Sequence, residues 1–320
     1  MGHGKEYIIG SFHVTDLSRS TSTRYRAQQI ADLILHEGMD LVALQGIRDS
    51  DALTPILTCL GKSWNRSWLL SRPKKGIRDV DHDPRGEGYA FLWDTRRFRL
   101  LQSTLLNGDK KDAEPEICSR YRSGRDKGLE TLPRDPVFGR FTASGLGGGN
   151  FELRLICTRI LYNGIDEDHD RRFWPLRQNE FDVLTRQILP QIEDTVYGNQ
   201  MPAYTILLGD YNMNLMCQWT KKPYIDTPAA GFREGDKQII TVQDQLTTLK
   251  KPKKAGETTV GYLHNYDHFS YNRNRLSALD PVSRRIDVVG NGYYSTYYGN
   301  YDRYREEISG HLPIVLVLRP

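Results

Sequence analysis

The sequence predicts an α/β sandwich in which two β-sheets pack on one another with helices outside. Seven strand-sized apolar runs, only two segments with long helical periodicity, and strands that follow one another too closely for a βαβ repeat lead to this class. A chain of 320 residues is ample for burying such a core, and with 38% hydrophobic and 26% charged residues it is neither disordered nor collagen-like.

EYIIGSFHV (6–14) is rich in β-formers and precedes a Ser/Thr stretch suited to capping a helix. In RYRAQQIADLILHEG, Ala27, Ile30, Ala31, Ile34 and Leu35 recur at helical spacing, and Gly38 sits where a helix stops. DLVALQ (40–45) predicts a short buried strand. Further strands are expected at GYAFLWD (88–94), FELRLICTRIL (151–161), YTILLGD (204–210), DHFSYN (267–272) and LPIVLVL (312–318), with a second long helix over 177–196. The segments 71–86, 105–150 and 219–262 are polar, Gly-, Pro- and charge-rich, and are expected as long connections rimming the site. No repeat or boundary divides the chain, so one domain over 1–320 is expected.

Lys and Arg outnumber Asp and Glu by 44 to 40, a balance that permits a polyanionic partner without requiring one. No apolar run is long enough for a transmembrane helix. MGHGKEYIIG has no secretory core or cleavage site, so a cytoplasmic location is expected. Cys59, Cys118, Cys157 and Cys217 are too widely spaced for a zinc knuckle or redox pair and are expected to be reduced and inert. The KKPKK run (250–254) is expected in a solvated loop.

Chemistry concentrates in ILLGDYNMNL (206–215), an apolar strand ending in Gly209, Asp210, Tyr211 and Asn212. A carboxylate and an amide two residues apart share one face of an extended chain and can orient a water or hold a phosphate oxygen, although an Asx turn ending the strand uses the same residues. With SFHV (11–14), LQGI (44–47), EGYAFLW (87–93), ICTRI (156–160), GDYN (209–212), YDHF (266–269) and SGHLPI (309–314), the chain resembles the endonuclease/exonuclease/phosphatase superfamily, the deoxyribonuclease I-like fold, over nearly its whole length. The resemblance implies a four-layer sandwich of two mixed sheets flanked by helices, and a Mg²⁺-dependent phosphodiesterase, nuclease or phosphomonoesterase in working members. It also implies catalytic positions at Asp210, Asn212, Asp267 and His311, with Glu87 in support.

Four positions depart from that pattern. His13 stands where the family has Asn, Gly46 where it has a metal-binding Glu, Arg159 where it has His, and Gly310 where it has a metal-side Asp. Mg²⁺ needs hard oxygen ligands, which glycine lacks, and a guanidinium cannot shuttle a proton at neutral pH. The leading expectation is therefore a degenerate member, a pseudoenzyme that binds Mg²⁺ weakly or not at all while still gripping nucleic acid or another phosphoester. Arg159 is expected to pair with Glu87 and Asp210 in the metal's place. The alternatives are an active Mg²⁺-dependent endonuclease or phosphodiesterase using Asp210, Asn212, Asp267 and His311 with a rearranged metal, and a non-enzymatic protein-interaction module; separately, the His13 imidazole is a candidate replacement ligand for zinc or another transition metal. Asp267 is expected to orient His311, and His268 to serve packing. Six tyrosines between 293 and 304, with Arg303, are compatible with base stacking or with surface turns and edge packing. Arg24, Arg26, Arg72, Lys74, Lys75 and Arg78 are candidates for a cationic rim.

Overall fold

The structure, a computed structural model, describes residues 6–72, 86–106, 121–122, 129–130, 132–143, 151–160, 177–198, 201–215, 232–234, 237–242, 245–251, 258 and 260–320. The strands are β1 (Tyr7–Leu17), β2 (Leu41–Ile47), β3 (Trp64–Ser71), β4 (Glu87–Asp94), β5 (Phe98–Leu105), β6 (Tyr121–Arg122), β7 (Leu129–Glu130), β8 (Val137–Ala143), β9 (Glu152–Arg159), β10 (Ala203–Asp210), β11 (Phe232–Glu234), β12 (Lys237–Val242), β13 (Asp267–Asn272), β14 (Val282–Arg285) and β15 (Ile314–Leu318). One sheet runs β14-β15-β1-β2-β4-β3 and the other β11-β12-β13-β10-β9-β8-β5, with β6 and β7 forming a separate ribbon. Each large sheet is mixed, parallel at β1/β2 and at β9/β10 and antiparallel at its other pairings.

Alternation along the strands builds the layers. Tyr7 and Ile9 of β1, Leu41 and Ala43 of β2, Leu153 and Leu155 of β9, Ile206 and Leu208 of β10, and Ile314 and Leu316 of β15 meet between the sheets. The opposite side of the first sheet, with Phe12, Val14, Val42 and Leu44, packs on α1 (Arg24–His36) through Ala27, Ile30, Ala31 and Ile34. Ile156 and Leu207 of the second sheet pack on α3 (177–183) and α4 (Leu189–Asp194), which are joined by a π turn over Leu184–Ile188. The four layers anticipated from the sequence are therefore present, and the second long helix contains an internal π turn. Thr23 caps α1, its hydroxyl accepting from the Arg26 amide at 3.1 Å.

Two of the expected connections contain sheet. β8 lies within 105–150 and joins β5 to β9, while β11 and β12 lie within 219–262 and extend the sheet beyond β13. In VFGRFTA the apolar pattern is interrupted by Gly139 and Arg140. Tertiary contacts explain both: a Cβ at Gly139 would lie 2.7 Å from the Phe91 and Phe141 rings, and Arg140 forks onto Glu152 of β9 at 2.8 and 2.9 Å. Of 71–86, residues 73–85, and with them Lys74, Lys75 and Arg78, lie outside the described residues. Cys118, Cys217 and 252–254 of the basic run do as well.

Candidate active site

The same alternation that sorts the core brings polar groups to one mouth. Continuing the inter-sheet face along each strand leads from Ile9 to His13 on β1, from Leu155 to Arg159 on β9, from Leu208 to Asp210 on β10, and back from Phe269 to Asp267 on β13. Register finishes the alignment, since Asp210 is paired with Arg159 on one side and Asp267 on the other. These three residues stand on adjacent strands, roughly 4.8 Å apart in the hydrogen-bonding direction. Gly209 permits this arrangement. Its φ is +139°, and a Cβ there would lie 1.9 Å from the Thr158 carbonyl oxygen of β9.

Asp210 is fully buried at the centre. Its Oδ2 lies 3.0 Å from His13 Nδ1, 3.5 Å from Arg159 Nε and 3.8 Å from His311 Nε2, while its Oδ1 accepts from the Asn212 amide at 2.9 Å. Burial alone would raise this carboxyl, but His311, His13 and Arg159 together hold it well below the usual carboxylate range. His311 presents Nδ1 to Asp267 Oδ2 at 2.9 Å. Burial pulls this imidazole down, yet the Asp267 and Asp210 carboxylates outweigh it and set His311 above its ordinary value. His13 goes the other way, pushed down chiefly by burial and further by Arg159 and His311.

Asn212 sits beside Asp210 but is held in the backbone. It adopts φ +48°, takes part in the Asx turn, and donates its side-chain amide to the Ile160 carbonyl at 2.7 Å. Gly46, with φ +85°, lies against His13; a Cβ there would be 3.1 Å from His13 Cδ2 and 3.2 Å from Nε2. The imidazole thus fills the space that a longer residue at 46 would enter. At Gly310 the nearest such atom is Arg305 Cγ at 3.8 Å, so only composition withholds a carboxylate there. Arg159 meets Asp210 as expected; the Glu87 side chain lies outside the described residues.

His268 is buried and its Nε2 meets the Met213 carbonyl at 3.2 Å, the packing role expected for it. Tyr297 and Tyr304 belong to the core beneath α1, and Arg303 is engaged by Glu307 and Tyr25, so these parts of the tyrosine run form packing rather than an open stacking groove. Arg26 does not border a cationic rim either: its guanidinium donates to the carbonyls of Val14, Thr15 and Ile308.

Sequence reasoning missed the residues that hold the site in place. Ser309 donates to the His13 carbonyl at 2.6 Å and accepts from the His311 amide at 3.0 Å, and buried Tyr304 donates to the His311 carbonyl at 3.1 Å. Thr247 accepts from the amides of Tyr266 and Asp267. Ser309 opens the SGHLPI segment (309–314), whereas nothing in the local pattern around Thr247 marks it.

Two mixed sheets packed face to face, with carboxylates and imidazoles converging at the strand ends, define an α/β sandwich with a polar site at one end of its strands. The sequence matches the Endonuclease/Exonuclease/phosphatase family over residues 9–285, and the chain belongs to that family. Its fold is similar to truncated Caenorhabditis elegans TDP2 (15% identity, 98% of each chain covered, TM-score 0.52). It is also similar to D. rerio TDP2 complexed with a single-strand DNA product (15% identity, 99% of this chain and 100% of that one, TM-score 0.55). The human Nocturnin catalytic domain with bound sulfate gives 14% identity, 98% and 93% coverage and a TM-score of 0.53. These likenesses establish the fold alone. A search of the curated proteins finds no match.

Proposed function

We propose that this protein is a phosphoester-binding member of its family in which the magnesium-dependent hydrolytic step has been lost. The observation carrying this reading is the Arg159 guanidinium 3.5 Å from Asp210 Oδ2, in a pocket whose two expected metal-carboxylate positions are Gly46 and Gly310. Mg²⁺ demands an oxygen-rich octahedron near 2.0–2.1 Å, commonly with one or two carboxylates. Here the groups gathered around Asp210 Oδ2 are two imidazoles and a guanidinium, so the residues do not fit that ion.

Binding is a separate matter. Arg159 and His311 present N–H donors at the mouth, and a planar guanidinium is suited to two oxygens of a phosphate. That neighbours of this fold include a Nocturnin domain with bound sulfate and a D. rerio TDP2 complexed with a single-strand DNA product is in keeping with an oxyanion ligand of this class. Nucleic acid is the partner this reading favours.

The test compares the chain with a variant carrying His13→Asn, Gly46→Glu, Arg159→His and Gly310→Asp, on single-stranded oligonucleotides with Mg²⁺, Mn²⁺ or chelator. His13→Asn is needed because the imidazole crowds position 46. Salt-sensitive oligonucleotide binding by the chain, with cleavage by the repaired variant only, is the expected result. Mg²⁺-dependent turnover by the unaltered chain overturns it.

A further inference from the structure

We infer that His13, Asp210 and His311 form a binding site for one divalent transition-metal ion of the zinc class. The inference rests on the reading that magnesium is not the resident ion, but does not depend on phosphoester binding.

The three residues offer donor atoms that all lie within 4.8 Å of one another. His13 Nδ1 and His311 Nε2 stand 3.0 and 3.8 Å from Asp210 Oδ2. Tetrahedral bonds of about 2.0–2.1 Å place neighbouring ligands roughly 3.3 Å apart, so side-chain adjustments on the order of an ångström close the site. His13 Nδ1 and Asp210 Oδ2 are both buried and face each other at 3.0 Å, the closest pair of donor atoms in the cluster.

The surrounding contacts are those of an oriented ligand set. Asp267 holds His311 Nδ1 at 2.9 Å, which turns Nε2 toward Asp210, and the Asn212 amide holds Asp210 Oδ1, which leaves Oδ2 facing the imidazoles. Two imidazoles and one carboxylate are a donor set for zinc, cobalt or iron rather than magnesium. The position left over in a three-ligand site is open to water or to an oxyanion. An incoming dication meets the carboxylates of Asp210 and Asp267 against the single guanidinium of Arg159. That side chain is 19% exposed, at the edge of the cluster.

His13 and Gly46 make this a substitution of one ligand chemistry for another. The ring occupies the space beside Gly46. Position 46 on β2 therefore offers no side-chain oxygen, while position 13 on β1 offers a nitrogen.

The test is calorimetric titration of the chelator-treated full chain with Zn²⁺, Co²⁺ and Mg²⁺ separately, together with the visible absorption of the Co²⁺ form. One equivalent of Zn²⁺ and of Co²⁺ should bind, with Co²⁺ bands of a low-coordinate nitrogen–oxygen site and no saturable Mg²⁺ heat. Outer contacts to a metal site are worth about 10–100-fold in affinity, so losing a ligand in His13→Asn or His311→Gln should weaken Zn²⁺ at least about 100-fold. His36→Gln, remote at the end of α1, should not change it. Circular dichroism and melting confirm that each variant is folded. No saturable Zn²⁺ binding by the folded chain, undiminished binding by folded His13→Asn and His311→Gln, or a thiolate charge-transfer band in the Co²⁺ form each overturns the inference. Oligonucleotide binding by the metal-free chain separates the two readings: its retention without Zn²⁺ binding overturns only this inference, and its loss with Zn²⁺ binding intact overturns only the phosphoester reading.

Discussion

His13 and Gly46 share one volume. A Cβ at position 46 would press on the imidazole and on the Thr15 amide nitrogen, both at 3.1 Å, at a backbone angle of φ +85°. Gly46→Ala should therefore cost about 1–3 kcal/mol in urea unfolding. Combining it with His13→Asn should show a coupling of about 0.5 kcal/mol or more, since the two side chains touch. Gly310→Ala, with 3.8 Å of clearance, should stay within about 0.5 kcal/mol of the parent. His268 gives a pH signature. Burial pushes its pKa from 6.5 down to about 4, so the stability it contributes is present above 6.5 and lost as pH falls through about 4. At about 1.4 kcal/mol per unit, this loss amounts to about 3 kcal/mol. His268→Gln, which can still donate to the Met213 carbonyl, should flatten the acid limb in unfolding curves taken from pH 7 to 4.

At the scale of elements, the site depends on two junctions. The parallel pairing of β9 with β10 sets Arg159 beside Asp210, and Gly209 is the point of closest approach. Gly209→Ala should cost more than about 4 kcal/mol and abolish a cooperative melt, because its Cβ would overlap the neighbouring strand's carbonyl. The second junction is Arg26, which ties α1 to the end of β1 and to the Ile308 carbonyl just before Ser309. Arg26→Ala leaves three carbonyls without this donor and should destabilise by about 2–3 kcal/mol; Arg26→Lys should recover only part of that, lacking the planar fork. These elements also show where local pattern fails. β8 is obscured because the residues that interrupt its alternation are compensated by distant partners, as Glu152 compensates Arg140.

For the whole molecule, the balance of charge at the mouth decides which ions bind. Carboxylates at 210 and 267 face Arg159 and two imidazoles, without the oxygen donors that glycine at 46 and 310 withholds. Millimolar Mg²⁺ should leave the melting temperature unchanged, since only a ligand that binds the folded state raises it. A clear Mg²⁺-induced rise in differential scanning fluorimetry would contradict the proposed loss of the metal-dependent step.

The sequence by itself determined the strands that end in polar residues, the sandwich class, and the absence of side-chain oxygens at 46 and 310. Those are properties of local alternation and of composition, which folding does not alter. Only the tertiary structure decided that Arg159, Asp210 and Asp267 would be neighbours, that β1 from the other sheet would bring His13 to the same carboxylate, and that this ring would fill the place beside Gly46. Strand register and sheet-to-sheet approach are fixed by packing between residues far apart in the chain, and no short stretch of sequence encodes them.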